Sequence, residues 1–182
     1  LTTAAYEYML SSAERRMYLN NELETAIRIS DFLSIVPAVN GKLELVYEGE
    51  QEGSYIVVLN LISKTIKTIF NDTFPVVNLK SKDKKRHNPY KIIQDWFEKN
   101  KIKLKNDLSN GDYQNALHEV KGLNEFVKNK LPSIESKEIN FYMEFLLHGI
   151  AENSLISKKY TNTSIDFKDL ISDIFSGEKE LK

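Results

Sequence analysis

Glu48, Glu50, Gln51 and Glu52 crowd around Gly49 and Gly53. Carboxylates at that density can ligate Mg2+ or Ca2+. Their spacing matches no calcium-binding loop, however, and no histidine stands near them. The plain expectation is a charged turn before a helix, where Glu50 and Glu52 each complement the helix dipole by about 0.3–1 kcal/mol. The functional alternative is a contact with another subunit. Arg15 and Arg16 follow Glu14 in a helical stretch. An arginine on a helix can reach a phosphate across a subunit boundary, although such a pair more often forms a solvated or ion-paired face. Arg15, Arg16, Glu48, Glu50, Gln51 and Glu52 are therefore the candidate contacts to a subunit or client. No catalytic or metal-ligating set is expected.

Other chemistry is thinly represented. His87, His118 and His148 each stand alone, without a second histidine at ligand spacing. The latter two are expected at the surface or its boundary. Ser11, Ser12, Ser154 and Ser157 lack a nucleophile-elbow setting. No Gly-x-x-x-x-Gly-Lys-Ser/Thr loop cradles a phosphate and no dinucleotide glycine cluster is present. Lys80 to Arg86 and Lys99 to Lys105 form two basic patches with Tyr90 and Trp96 between them. Charge plus stacking can hold a single nucleic-acid strand, but a solvated linker and arm, with Trp96 in the core, is the simpler expectation.

The elements that must position these residues are mostly helical. Tyr6, Met9, Leu10, Ala13 and Met17 share a face over Thr3 to Leu19, with Glu14, Arg15 and Arg16 largely off it. Thr25 to Ile29 reads as a short extended piece. Ser30-Asp31 caps a short helix through Phe32, Leu33 and Val36 that stops near Pro37. Leu43, Leu45 and Tyr47 alternate like a brief strand. The clearest stripe runs from Ser54 to about Phe70, through Tyr55, Val58, Leu59, Ile62, Ile66, Ile69 and Phe70. It is rich in β-branched residues, so burial rather than propensity must stabilise it. A charged, proline-closed segment at 80–89 suggests a linker between units at 1–79 and 90–182. Beyond it, Tyr90 to Glu98 is helical with Ile92, Ile93, Trp96 and Phe97 inward, and Lys101 to Lys105 alternates like an edge strand. Asp112 caps a helix carrying Tyr113, Leu117 and Val120, which Gly122 interrupts. A second piece runs from Leu123 to Lys130. Ser136 caps a long helix with Glu138 in its first turn and Ile139, Tyr142, Phe145, Leu146 and Ile150 on one face. Asp166 to Phe175 reads as a final helix. The fold class is mainly α, with few or no short strands.

Bulk composition narrows the class. The 182 residues suffice for a buried core. The 25 basic and 26 acidic residues leave a net charge of -1, so no overall field draws in nucleic acid or an anionic membrane. The chain has no cysteine, which excludes disulfides and thiolate zinc sites and agrees with a reducing cytoplasm. The longest apolar run, Tyr55 to Leu59, falls far short of the roughly 20 residues that span a bilayer. Leu1 to Ala4 does not read as a signal peptide, and a start at leucine hints at a piece of something longer.

Several blocks occur in a telling order. They are Ser11-Ser12-Ala13-Glu14-Arg15-Arg16, Ile29-Ser30-Asp31-Phe32, Gly41-Lys42-Leu43-Glu44-Leu45 and Val46-Tyr47-Glu48-Gly49-Glu50-Gln51-Glu52-Gly53. Trp96-Phe97, Asp107-Leu108-Ser109, Val120-Lys121-Gly122-Leu123 and Met143-Glu144-Phe145-Leu146-Leu147-His148-Gly149 follow. Together they resemble the C-terminal half of the magnesium-chelatase subunit I-like ATPases, a MoxR-related branch of the AAA+ superfamily. The resemblance covers nearly the whole chain. It implies a parent with an N-terminal nucleotide-binding module that binds ATP and Mg2+, and a ring of subunits, commonly six, that remodels a protein client. The chain would supply the lid remainder and a helical extension, with no cofactor of its own. Leu1 to Glu7 contain no arginine, so the lid's sensor arginine would lie upstream or be absent, and Arg15 and Arg16 stand too far along to inherit it. The rival expectation is a free-standing helical adaptor for a protein or a single nucleic-acid strand.

Overall fold

A stripe of isoleucine and valine adopts a helix only if tertiary burial compensates its weak propensity, and here it does. The computed structural model describes residues 2–39, 53–76 and 88–171. Its order is α1 (Thr2–Leu19), a 3-10 segment (Ile29–Ile35), α2 (Val36–Val39), α3 (Ser54–Thr73), α4 (Lys91–Phe97) and β1 (Ile102–Lys105). Then come α5 (Asn110–His118), α6 (Leu123–Lys130), α7 (Ile139–Glu152), β2 (Ser157–Tyr160) and β3 (Ser164–Lys168). The described residues are mainly α, with one small sheet. None of their helices is long and apolar enough to cross a membrane.

The stripe on α3 seats Val58, Ile66 and Phe70 against the rest of the molecule, while Tyr55 and Ile69, expected on the same face, are exposed at its edges. Its chief partner is α7, which is enclosed on nearly every side: Met143 to Ile150 are all buried. Gly149 makes the crossing possible. A Cβ there would lie 1.9 Å from Phe70 Cδ2. Phe70 then touches Phe74 at 5.2 Å, Tyr90 at 5.9 Å and Phe145 at 6.4 Å between ring centroids. Phe126 on α6 packs at a tilt against Tyr90, with ring centroids 5.0 Å apart. Residues on both sides of the 80–89 boundary therefore share one hydrophobic cluster. Most of that segment, with the Leu43 to Tyr47 strand and the Glu48 to Glu52 turn, lies outside the described residues.

The sheet has order β1-β3-β2, with both pairings antiparallel. β1 alternates buried Ile102 and Leu104 with exposed lysines, as its sequence suggests. β3 takes the first part of the helix expected over Asp166 to Phe175; residues 170–171 are helical and 172–175 lie outside the described residues. Ser164 to Lys168 is the central strand, with Ile165 and Phe167 wholly buried between Leu104 and Ile102 on one side and β2 on the other. Its period-two alternation was the available signal.

Other boundaries shift for local reasons. Pro37 does not stop a helix; it sits in the first turn of α2, where a missing N–H leaves no bond unmade. Ser109, not Asp112, caps α5, its hydroxyl accepting Asp112 N–H at 3.0 Å. α7 starts at Ile139 with Glu138 as N-cap, so Ser136 falls in the preceding turns. Ile92 points outward at 58% exposure, while Ile93 and Phe97 point in. Gly122 separates α5 from α6 at φ 81°, with Ile92 Cγ2 2.7 Å from where a Cβ would stand. That combination strains any residue with a Cβ.

Candidate functional site

Arg16 is the first surprise. The apolar pattern put it off the inner face of α1, yet Ala13 and Arg16 are the two buried residues of that helix. Its guanidinium donates to Asp31 Oδ1 at 2.6 Å, Ala26 O at 2.8 Å and Thr25 Oγ1 at 3.3 Å. Asp31 also accepts the Ser12 hydroxyl at 2.8 Å and, on its other oxygen, Arg28 N–H at 2.8 Å. One carboxylate thus pins α1 to the start of the 3-10 segment. Both partners of the ion pair are almost fully enclosed, at 2% and 1% exposure.

Arg28 extends the cluster. Its guanidinium donates to Leu108 O at 2.8 Å and Asn110 Oδ1 at 3.0 Å, and it lies 4.0 Å over the Tyr113 ring. Burial first, then the neighbouring Arg16 cation, lowers its pKa. Tyr113 donates its hydroxyl to Glu144 Oε2 at 2.7 Å, and Ile29 N–H donates to the same oxygen at 2.8 Å. Burial, reinforced by the Glu144 charge, raises the Tyr113 pKa well above its ordinary value. Burial likewise raises that of Glu144, against the pull of its hydrogen bonds and of Arg28. The result is a hub in which Arg16, Asp31, Arg28, Tyr113 and Glu144 join α1, the 3-10 segment, α5 and α7. Its charges bond one another, which holds these elements in register.

The expected contact residues separate. Arg15 is exposed on the outer face of α1, beside Ser11, Glu14, Tyr18 and Leu19. Arg16 is committed inside the hub, so its guanidinium is not placed to reach a phosphate or a neighbouring subunit. Glu48, Glu50, Gln51 and Glu52 lie outside the described residues. Of the histidines, His118 is exposed, as expected, but His148 is wholly buried. The sequence did not reveal that, because α7 is apolar on several faces and places His148 among them. Among the basic and aromatic candidates, Tyr90 is also fully buried, its hydroxyl donating to Pro75 O at 2.6 Å. Trp96 is half-buried and packs edge-on against Phe97 at 5.0 Å. Stacking of a base on Tyr90 is thereby closed off.

Two recesses flank the hub. One, of about 570 Å3, lies between residues 24–28, α5 and the start of α7, and Arg28 and Tyr113 form part of its wall. The other, of about 710 Å3, is largely apolar and runs between the 3-10 segment, α3 and α7, lined by Phe32, Leu61, Ile62, Phe141 and Phe145 among others. Among the described residues, no group of three or more His, Asp or Glu is placed to hold a metal ion. No protein-family model matches the sequence, and no curated protein or solved structure matches it either.

Proposed function

We propose that this chain is the non-catalytic C-terminal helical part of an AAA+ ATPase similar to the magnesium-chelatase subunit I group. In this reading it couples ATP-driven conformational change to subunit or client contacts. The observation that carries it is where the resembling blocks meet. Ser12 and Arg16 from the first block bond Asp31 from the second. Ile29 of the second block bonds Glu144 of the last. Leu108 accepts from Arg28, beside the second block, and Gly149 admits Phe70 into the last. Segments more than 100 residues apart in sequence, such as Ile29 and Glu144, thus converge on one buried hub. A lever needs such internal stiffness, because a moving element transmits force only as a rigid body.

ATP and Mg2+ belong to the parent's nucleotide-binding module, and the partners are sister subunits, commonly six in a ring, and a protein client in the cytoplasm. Magnesium-chelatase chemistry itself is not assigned to this chain. In the full-length parent, Glu50→Lys with Glu52→Lys weakens ATP-dependent assembly, measured by light scattering with and without nucleotide. Unchanged assembly and ATPase rate would remove those residues from the contact. A reading frame beginning near Leu1, or ATP hydrolysis by the purified chain alone, ends the reading altogether. The adaptor alternative draws on the largely apolar recess beside α3; a salt-sensitive shift with an oligonucleotide favours its nucleic-acid version.

A further inference from the structure

Glu144 and His148 stand one helical turn apart on α7, and neither is exposed. Glu144 Oε2 accepts twice, from Ile29 N–H and the Tyr113 hydroxyl, but among the described residues its Oε1 has no partner. His148 Nε2 has none either, and it lies 3.9 Å from that Oε1. Across the ring, Nδ1 lies 3.3 Å from Lys158 Nζ. An ammonium carries three donors and no acceptor. Lys158 directs them at the Glu152 carboxylate, the Tyr160 hydroxyl at 3.0 Å and His148 Nδ1. Nδ1 must therefore accept. A neutral ring then carries its proton on Nε2, aimed toward Glu144. Burial first, then the Lys158 cation, keeps the ring neutral by holding its pKa well below 6.5. The edge-on Phe167 ring, 5.1 Å away on β3, leaves the imidazole little room to turn.

A donor thus faces an acceptor across a distance too long for a direct hydrogen bond. A water about 2.8 Å from each atom would bond both. We propose that the space between Glu144 Oε1 and His148 Nε2 is a binding site for one internal water, and that Lys158 fixes His148 as the Nε2–H tautomer that holds it. The line then runs unbroken from β2 to the 3-10 segment. Lys158 donates to His148, His148 to the water and the water to Glu144, whose other oxygen receives Ile29 and Tyr113. Each donor along this line points toward Glu144, so the state of Lys158 on β2 is felt at Ile29 across the core. None of this depends on the ATPase reading, and it survives that reading's failure.

Long-range 1H–15N NMR of the 182-residue chain, labelled in its histidine rings, tests it. At neutral pH the expected result is a bare Nδ1 and a protonated Nε2, with magnetisation exchange between Nε2–H and a long-lived water. An Nδ1–H ring, an imidazolium, or a direct Nε2–Glu144 bond without water overturns the proposal. In Lys158→Met the ring loses its single-tautomer signature and the Ile29 amide exchanges faster, whereas Lys158→Arg keeps both wild-type readings. A purely structural lysine would change stability and leave the tautomer pure, which also defeats the proposal. Should Lys158→Met not fold, Glu144→Gln gives the same decision. It keeps the Nε2–H tautomer but shortens the residence of the water, and an unchanged residence counts against the site.

Discussion

Asp31 and Phe70 are both enclosed, at 1% and 0% exposure, yet they stabilise the molecule in different ways. Asp31 gathers Ser12, Arg16 and the Arg28 amide, so its neighbours depend on its charge. Phe70 is surrounded by Phe74, Tyr90 and Phe145 and by the bare Cα of Gly149, so its neighbours depend on its shape. A buried ion pair barely gains over an apolar substitute once desolvation is counted, but breaking it strands the remaining charge. A packed ring has no partner to strand; its loss leaves a cavity. The polar hub therefore specifies which elements meet, while the aromatic core supplies net stability.

The sharpest way to break this comparison uses both residues. Asp31→Ala and Phe70→Ala should each cost about 3–5 kcal/mol, by denaturant unfolding. Their rescues differ. Adding Arg16→Met to an Asp31→Leu chain should restore much of the loss, because neither partner of that ion pair is then left buried and uncompensated. No second substitution beside Phe70→Ala should do so without refilling the ring's volume. If Arg16→Met fails to rescue, the hub contributes net stability and the contrast collapses.

Gly149→Ala comes next. Its Cβ would sit inside the Phe70 ring envelope, and overpacking of this kind costs about 1–3 kcal/mol or more. A Gly149→Ala/Phe70→Leu double variant should lose less than the sum of its parts, read from a double-mutant cycle. Strict additivity would mean the two positions do not press on one another.

Acid titration sharpens the polar side. Burial and Lys158 depress the His148 pKa below 6.5, so the unfolded chain takes up this proton first as the pH falls. The contribution of neutral His148 is whole above about pH 6.5 and drains away below it, with a slope of about 1.4 kcal/mol per pH unit for one proton. His148→Gln should flatten that arm in unfolding measured from pH 7 to 5. Glu144 works the other way. Its raised pKa means the folded chain gains stability as the pH falls through it, so Glu144→Gln should steepen the acid loss. The smallest effect belongs to the exposed Lys91–Asp95 pair at 3.0 Å: Lys91→Met should leave the thermal midpoint where it was.

The legible parts of this fold are those where side-chain pattern and local geometry agree. The stripe on α3, the alternation of β1 and the break at Gly122 could all be read directly. The polar hub could not. Arg16 and Asp31 are charged, and charge ordinarily marks the outside of a helix. Only the approach of α1 to the 3-10 segment turns those two side chains inward together. His148 was hidden for the complementary reason: on a helix buried all round, periodicity gives no outer face to exclude.

What the chain determined by itself was its helical class, most of the inner face of α3 and the local break at Gly122. Each depends on contacts within a few residues, where propensity and period act. The tertiary structure alone decided that Arg16 pairs with Asp31, that Glu144 receives Ile29 from 115 positions away, and that the strand Ser164 to Lys168 lies between the other two. Those outcomes depend on which distant groups share a low-dielectric interior, where an unpaired charge or an unpaired strand edge is costly enough to override local preference.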